Sequence, residues 1–282
     1  MRIAISNIAW DVEEDEQIGR LLNKYHIDAI DVAPTKYFKN PLQVSDDDIR
    51  SVRSAWRGRG VSIVGMQALL FGTEGLNMFG SLESQTSMLD HLRAIARIAA
   101  NLQATRLVFG SPRNRDRAGL SDETVASIAK DFFSKLGKIG ETYGVVFCLE
   151  PNPVRYNANF LTTSLETATM VAEINHPCIK MQLDMGAVTI NKENIHAVLD
   201  TYASLIGHIH ASEPDLCILG EGGTDHASFS RILRRYLENH ILSIEMLPSK
   251  NEGHATAIER ALRLAIGYYR REGLTLPKMG AS

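Results

Sequence analysis

A single (β/α)₈ barrel is the fold this sequence predicts, and three observations predict it. Short apolar runs alternate with amphipathic helical stretches eight times, and no composition break marks a domain boundary across residues 1–282. The length suits one such barrel as a single domain. The last four runs, residues 145–150, 179–184, 205–210 and 241–245, each close on a side chain able to bind metal: Glu150, Asp184, His210 and Glu245. A doubly wound open sheet is the alternative. It would ordinarily carry a glycine-rich fingerprint in its first β-α turn, and Asn7-Ile8-Ala9-Trp10-Asp11 has none.

Taken in order, the first strand covers residues 3–7, and the helix after it, 14–25, sets Ile18, Leu21 and Leu22 on one stripe. The second strand is 29–32; a loop with Pro34 and Pro41 leads to a helix at 46–59. The third strand is 62–66, followed by a helix over 84–101 with Met88, Leu92, Ile95 and Ala99 at helical spacing. The fourth strand is 106–109. Ser121, followed by Asp122 and Glu123, caps a helix that runs to 142, with Gly144 beyond it. The fifth strand ends at Glu150, and the helix at 164–174 stops at Asn175-His176-Pro177. The sixth strand ends at Asp184, with a helix at 192–202. The seventh ends at His210, with a helix at 225–239. The eighth ends at Glu245, with a helix at 255–271, and residues 274–282 read as an irregular tail.

Composition sets the outer bounds. The chain is 44% apolar and 22% charged with a net charge of −3, ordinary globular values. No strongly basic face is implied, which weighs against a nucleic-acid partner. Cys148, Cys178 and Cys217 are scattered, odd in number and form no C-x-x-C pair, so neither a disulfide framework nor a zinc ribbon is expected. A reducing cytoplasm fits that usage. The first apolar run is too short for a signal peptide, and no stretch reaches the length of a membrane span.

The four strand ends carry the chemistry. Glu150, Asp184, His210 and Glu245 lie 34, 26 and 35 residues apart, about the length of one strand, one helix and two loops. Consecutive parallel strands therefore bring three carboxylates and one imidazole to one rim, the level at which such barrels do chemistry. Any one of them alone reads as a cap or an ion-pair partner. Together they leave three carboxylates repelling one another unless a cation sits between them. Three oxygens and one nitrogen suit one divalent ion of the harder kind, Mn²⁺ first, with Mg²⁺ or Co²⁺ as alternatives.

Across its whole length the sequence resembles the xylose isomerase-like TIM barrels, the group of sugar isomerases and ketose 3-epimerases that also contains endonuclease IV-like enzymes. The segments that carry the resemblance are Leu149-Glu150-Pro151-Asn152-Pro153, Gln182-Leu183-Asp184, His208-Ile209-His210-Ala211-Ser212-Glu213 and Ser243-Ile244-Glu245. The resemblance implies that Glu150, Asp184, His210 and Glu245 bind the ion and that Glu150 and Glu245 double as acid and base. The implied reaction is proton abstraction next to the carbonyl of a sugar or sugar phosphate, through a metal-stabilised enediolate. One base then gives isomerisation and two opposed bases give epimerisation. The sequence departs from ketose 3-epimerases at Ala187, where they have a histidine, at Tyr156, where they have a glutamate, and at Leu216, where they have an arginine. Those groups hold the hydroxyls of a free sugar, so a free ketohexose does not follow.

A dehydratase acting on an inosose or sugar acid shares the first step and is a rival. An endonuclease IV-like phosphodiesterase needs further histidines where this chain has Gln67, Gly110-Ser111 and Ala187. A barrel that only bound a sugar would have no use for two bases. Arg113, Asn152, His208 and Trp10 are assigned to the carbohydrate substrate. Arg113 leads a loop of three arginines able to grip an anion, or merely to be solvated beside Asp116. His208 lies two residues deeper than His210, which favours a place behind the ligand over ligation. Trp10, Phe38 and Phe71 follow the first three strands and form either an apolar wall or plain packing. The stretch Gly220-Glu221-Gly222-Gly223 is a phosphate loop or a flexible one, and His226 either caps its helix or reaches the site. Self-association is left open.

Overall fold

The structure is a computed structural model that describes residues 1–270. Eight parallel strands close on themselves: β1 (Arg2–Ser6), β2 (Ala29–Val32), β3 (Ser62–Met66), β4 (Arg106–Phe109), β5 (Val146–Leu149), β6 (Ile179–Asp184), β7 (Ile206–Ser212) and β8 (Ile241–Glu245). Closure is made by β1 on β8, with Arg2 to Ile5 opposite Ile241 to Ile244. The predicted single barrel is the observed fold. The tail at 274–282 and residue 271 of the last helix lie outside the described residues.

The surrounding helices are α1 (Asp15–Lys24), α2 (Pro34–Tyr37), α3 (Asp46–Gly58), α4 (Leu82–Leu102), α5 (Asp122–Tyr143), α6 (Ser164–Ile174), α7 (Met185–Asn191), α8 (Ile195–Tyr202), α9 (His226–Tyr236) and α10 (His254–Tyr269). They form where the apolar stripes predict. In α4, Met88, Leu92, Ile95 and Ala99 are all buried against the barrel. Ser121 caps α5 by accepting from Thr124 N, and Gly144 ends it at φ 67°. Two helices were not foreseen. One is the single turn α2, started by Pro34. The other is α7, which begins directly after β6 and takes Asp184 itself as its N-cap, so the helix expected at 192–202 is only the second of a pair.

Strand register brings the predicted ligands side by side. A shift between Met181 and Gln182 sets Asp184 opposite His210 across β6 and β7. Across β7 and β8, Ser212 stands opposite Glu245. Because side chains alternate along a strand, His208, His210 and Ser212 share one face of β7 while Ile209 and Ala211 take the other. That polar stripe is fully buried, and Asp31, Gln182 and Ser243 join it, so the barrel floor beneath the rim is polar rather than packed with aliphatics. β7 runs two residues beyond its predicted end at His210.

Candidate metal and active site

Glu150, Asp184, His210 and Glu245 converge: one ligand atom from each lies within 4.8 Å of all the others. His210 Nδ1 is 3.1 Å from Glu245 Oε2, 3.4 Å from Glu150 Oε1 and 3.9 Å from Asp184 Oδ2. Each carboxylate is aimed from behind. Gln67 Nε2 donates to Glu245 Oε1 at 2.6 Å. Asn152 Nδ2 donates to Glu150 Oε2 at 3.2 Å. Asp184 Oδ1 accepts from Ala187 N at 2.6 Å as the α7 cap, and its Oδ2 accepts from the Ser212 hydroxyl at 2.7 Å. Gly110 lets β4 approach closely, since a Cβ there would fall inside the van der Waals surface of Glu150 Oε2.

The electrostatics of the protein alone show what the cluster lacks. Burial pushes the Asp184 carboxyl up, and the neighbouring charges of Glu245 and Glu150 push it further, well above the ordinary carboxylate range. Burial opposes charge on His210, yet the facing Glu245 and Glu150 carboxylates prevail and raise it well above the usual histidine value. Burial also works against the Glu245 carboxylate, and His210 with Gln67 overrides it and lowers its pKa. Both ring nitrogens of His210 and Glu150 Oε1 are buried without a hydrogen-bond partner among the described residues. His210 Nδ1 and Glu150 Oε1, orphaned and facing one another beside Glu245 and Asp184, are the geometry a divalent cation satisfies, so the residues fit the ion the sequence implied.

A pH consequence follows from these shifts. Burial and the two glutamates favour a proton on Asp184, and the same glutamates favour one on His210, so cation uptake should release protons and affinity should fall as pH falls. A pH indicator in weak buffer, read while Mn²⁺ is titrated into the metal-free protein, checks this; uptake without proton release contradicts it.

Behind the ligands lies a second layer that the sequence reading missed in part. His208 Nε2 is 2.7 Å from Asp31 Oδ2, and His210 Nε2 is 4.0 Å from the same oxygen. Burial alone would raise Asp31; His208 first, then His210, holds it below the ordinary carboxylate range. His208, assigned above to substrate, is instead 2% exposed, pairs with Asp31 beneath His210 and lines neither cavity at the cluster. Trp10 is likewise corrected: it is 1% exposed, donates from Nε1 to Asp15 Oδ1 at 2.8 Å and packs edge-on against Trp56, because a buried indole N–H needs a partner. Phe38 is buried too, whereas Phe71 is exposed and lines a cavity.

The arginine loop is sorted by a short 3₁₀ turn, Pro112–Arg115. Arg113 points outward, with Nη2 on Thr73 O at 2.6 Å. Arg115 is the buried one; its Nη2 donates to Glu150 O at 2.7 Å and to Asn152 Oδ1. Arg115 thus fixes Asn152, which in turn fixes Glu150. Arg115→Ala should cost about 2–3 kcal/mol in urea unfolding, the range for buried hydrogen bonds to a charged group, and should lower turnover by misplacing Glu150. Arg113→Ala should stay within about 0.5 kcal/mol of the parent. Equal effects of the two substitutions contradict the assignment. The Gly220–Gly223 stretch is tied down rather than open: Gly220 N and Thr224 N donate to the Glu213 carboxylate, and His226 bridges Glu213 Oε1 to Tyr269 Oη.

Two cavities meet at the cluster. One, of about 550 Å³, opens toward β1 to β4; the other, of about 510 Å³, lies over β5 to β7. Both are lined by Gly110, Glu150, Leu216 and Glu245. Among the described residues that line them, Lys36 is the only cationic side chain, and its ammonium is held by the carbonyls of Asn7 and Trp10.

A closed eight-stranded parallel barrel with a Glu–Asp–His–Glu cluster at the carboxyl ends of β5 to β8 defines a class of barrels with a metal-capable rim. The chain belongs to the xylose isomerase-like TIM barrel family, whose model matches residues 20–267. A curated relative, D-psicose 3-epimerase of Ruminiclostridium cellulolyticum, is 28% identical over 107 residues, 38% of this chain; the match spans only about a third (34%) of that protein's length. A solved structure of D-psicose 3-epimerase in the presence of D-fructose superposes with a TM-score of 0.78 at 15% identity, covering 95% of this chain and 99% of that one. The IOLI protein with a bound zinc atom superposes at 0.75 and 16% identity, covering 96% and 100%. At these identities the structural likeness is one of fold. Among the described residues no helix is long and apolar enough to cross a membrane.

Proposed function

We propose that the chain is a divalent-cation-dependent isomerase or epimerase that moves a proton next to the carbonyl of a carbohydrate or sugar phosphate. The observation that carries this reading is the placement of the two glutamates: Glu150 and Glu245 line both cavities, while His210 is wholly buried behind them. Family membership and the epimerase relative support it. Glu150, Asp184, His210 and Glu245 would hold the ion, with Mn²⁺ the expected metal and Mg²⁺ or Co²⁺ as substitutes. A divalent ion there supplies a Lewis acid that polarises a carbonyl oxygen.

The rest is the work of this chain's side chains. Gln67 and Asn152 each hold one glutamate oxygen, which turns the other, Glu245 Oε2 or Glu150 Oε1, toward His210 Nδ1 and fixes the carboxylate against the cavities it lines. A carboxylate so held accepts a proton from the carbon beside the carbonyl. If the same carboxylate returns the proton to the neighbouring carbon, the product is an isomer. If the opposite glutamate returns it to the other face of the original carbon, the centre inverts. Ala187, Tyr156 and Leu216, the three departures from the ketose 3-epimerases, all line the second cavity, so the hydroxyl contacts there differ from those of a free-ketose enzyme.

The test combines elemental analysis with an NMR screen of ketoses, sugar phosphates and inososes at millimolar concentration, using Mn²⁺-loaded protein. One ion per chain and a new sugar from at least one carbonyl substrate are expected. No conversion of any carbonyl compound, with phosphate or alcohol released from an ester, contradicts the proposal.

A further inference from the structure

We infer that the substrate carries an apolar arm beside its reacting sugar, and that the cavity over β1 to β4 receives that arm. The ligand class is a glycoside or similar sugar derivative with an aryl or alkyl substituent. This deepens the function proposed above and rests on it for where the reacting end sits.

The two cavities differ in chemistry although they share the glutamates. The one over β5 to β7 mixes Asn152, Tyr156, Glu213 and Asp215 with Pro151, Pro153 and Ala187. The other presents Leu69, Leu70, Phe71, Val108, Leu216 and Leu247. Its few polar side chains are largely engaged. The Lys36 ammonium is on the carbonyls of Asn7 and Trp10, the Gln67 amide nitrogen is on Glu245, and the Ser111 hydroxyl donates to Asn114 Oδ1. A free sugar bears hydroxyls on every face, and beyond Thr35 and the two glutamates the side chains of this wall offer those hydroxyls few partners in exchange for water. An aryl or alkyl group loses nothing of the kind and gains the burial of its surface.

Size and exposure agree. About 550 Å³ falls in the range of pockets that take drug-sized ligands, roughly 300–1,000 Å³. Phe71 is 72% exposed and Leu247 49% exposed, and both stand on this one cavity's wall rather than being scattered over the surface. A concave apolar surface continuous with a reactive cluster is where the unreactive part of a substrate can be gripped. Binding energy gained there positions the sugar end between Glu150 and Glu245.

The experiment measures binding of methyl β-D-glucoside, 4-nitrophenyl β-D-glucoside and free 4-nitrophenol to the metal-loaded full chain by calorimetry. The nitrophenyl glucoside should bind at least about tenfold tighter than the methyl glucoside, and 4-nitrophenol should compete with it. Phe71→Ser and Leu247→Ser should erase that difference, so that the two glucosides bind alike. Both side chains are exposed, and unchanged circular dichroism and metal content verify the fold of the variants. Equal binding to the parent, no binding of either nitrophenyl probe at millimolar concentration, or a difference that survives both substitutions overturns the inference. So does a dimer in size-exclusion chromatography that Phe71→Ser dissociates, since the patch would then be covered by a second copy of the chain. The ion count and proton exchange on carbonyl substrates are measured separately, so the proposed function stands or falls on its own.

Discussion

Asp184→Asn and His210→Ala are each expected to leave the chain without its cation after gel filtration. Asp184 contributes a charge that burial and two neighbouring glutamates make costly, a cost repaid only when a cation is present. The asparagine keeps the shape, and its amide oxygen still accepts from Ala187 N, so α7 remains capped while the negative charge is gone. His210 supplies the only nitrogen in the set, and removing it takes away the one side chain that faces all three carboxylates. Loss of even an outer partner of a metal ligand costs about 10–100-fold in affinity, and loss of a ligand should exceed that. Inductively coupled plasma analysis reads the outcome directly. A full equivalent of ion in either variant contradicts the assignment.

The second large effect concerns the glutamates. Glu245→Gln and Glu150→Gln should each lower kcat by about 10²–10⁴, the usual cost of removing a positioned acid or base, and by more if metal is also lost. Glutamine is the informative substitution because it keeps the volume and one oxygen. At Glu245 that oxygen can still accept from Gln67, and at Glu150 from Asn152, so the supporting contacts survive while the basic oxygen does not. In a two-base epimerase each variant should stop exchange from one epimer only. In a one-base isomerase, one variant should stop all exchange and the other should act only through metal content. Rates within threefold of the parent for both variants, with metal retained, would remove them from the chemistry.

How much of this was legible beforehand depends on where each residue's partner lies in the chain. Glu150, Asp184, His210 and Glu245 were legible because each closes an apolar run, and parallel strands put such ends at one level. Asp31 was not. It sits among buried neighbours in β2, and its partner His208 is 177 residues away on β7, a contact that exists only because the barrel closes. That Arg115 rather than Arg113 turns inward was equally out of reach, since the direction of one 3₁₀ turn decides which guanidinium is buried. Trp10 looked like a wall residue because it follows β1; the N–H bond to Asp15 turns it into the core instead. The helix α7 was missed because its cap is the metal-capable Asp184, one residue serving two purposes. Gln67 shows the same limit: it lies one residue past β3, in view, but its contact crosses to Glu245 on β8. Asn152 lies three residues past β5 and bonds Glu150 locally, but the Arg115 that fixes it comes from the loop after β4.

The measurement that bears most directly on the central claim is solvent-deuterium incorporation by the Mn²⁺-loaded protein, followed by NMR on a converted substrate in heavy water. The account predicts deuterium entering at the carbon next to the carbonyl as product forms, with exchange suppressed by chelation and by Glu150→Gln or Glu245→Gln. Product that forms with no deuterium at that carbon, or exchange that persists undiminished after the metal is removed, would contradict it.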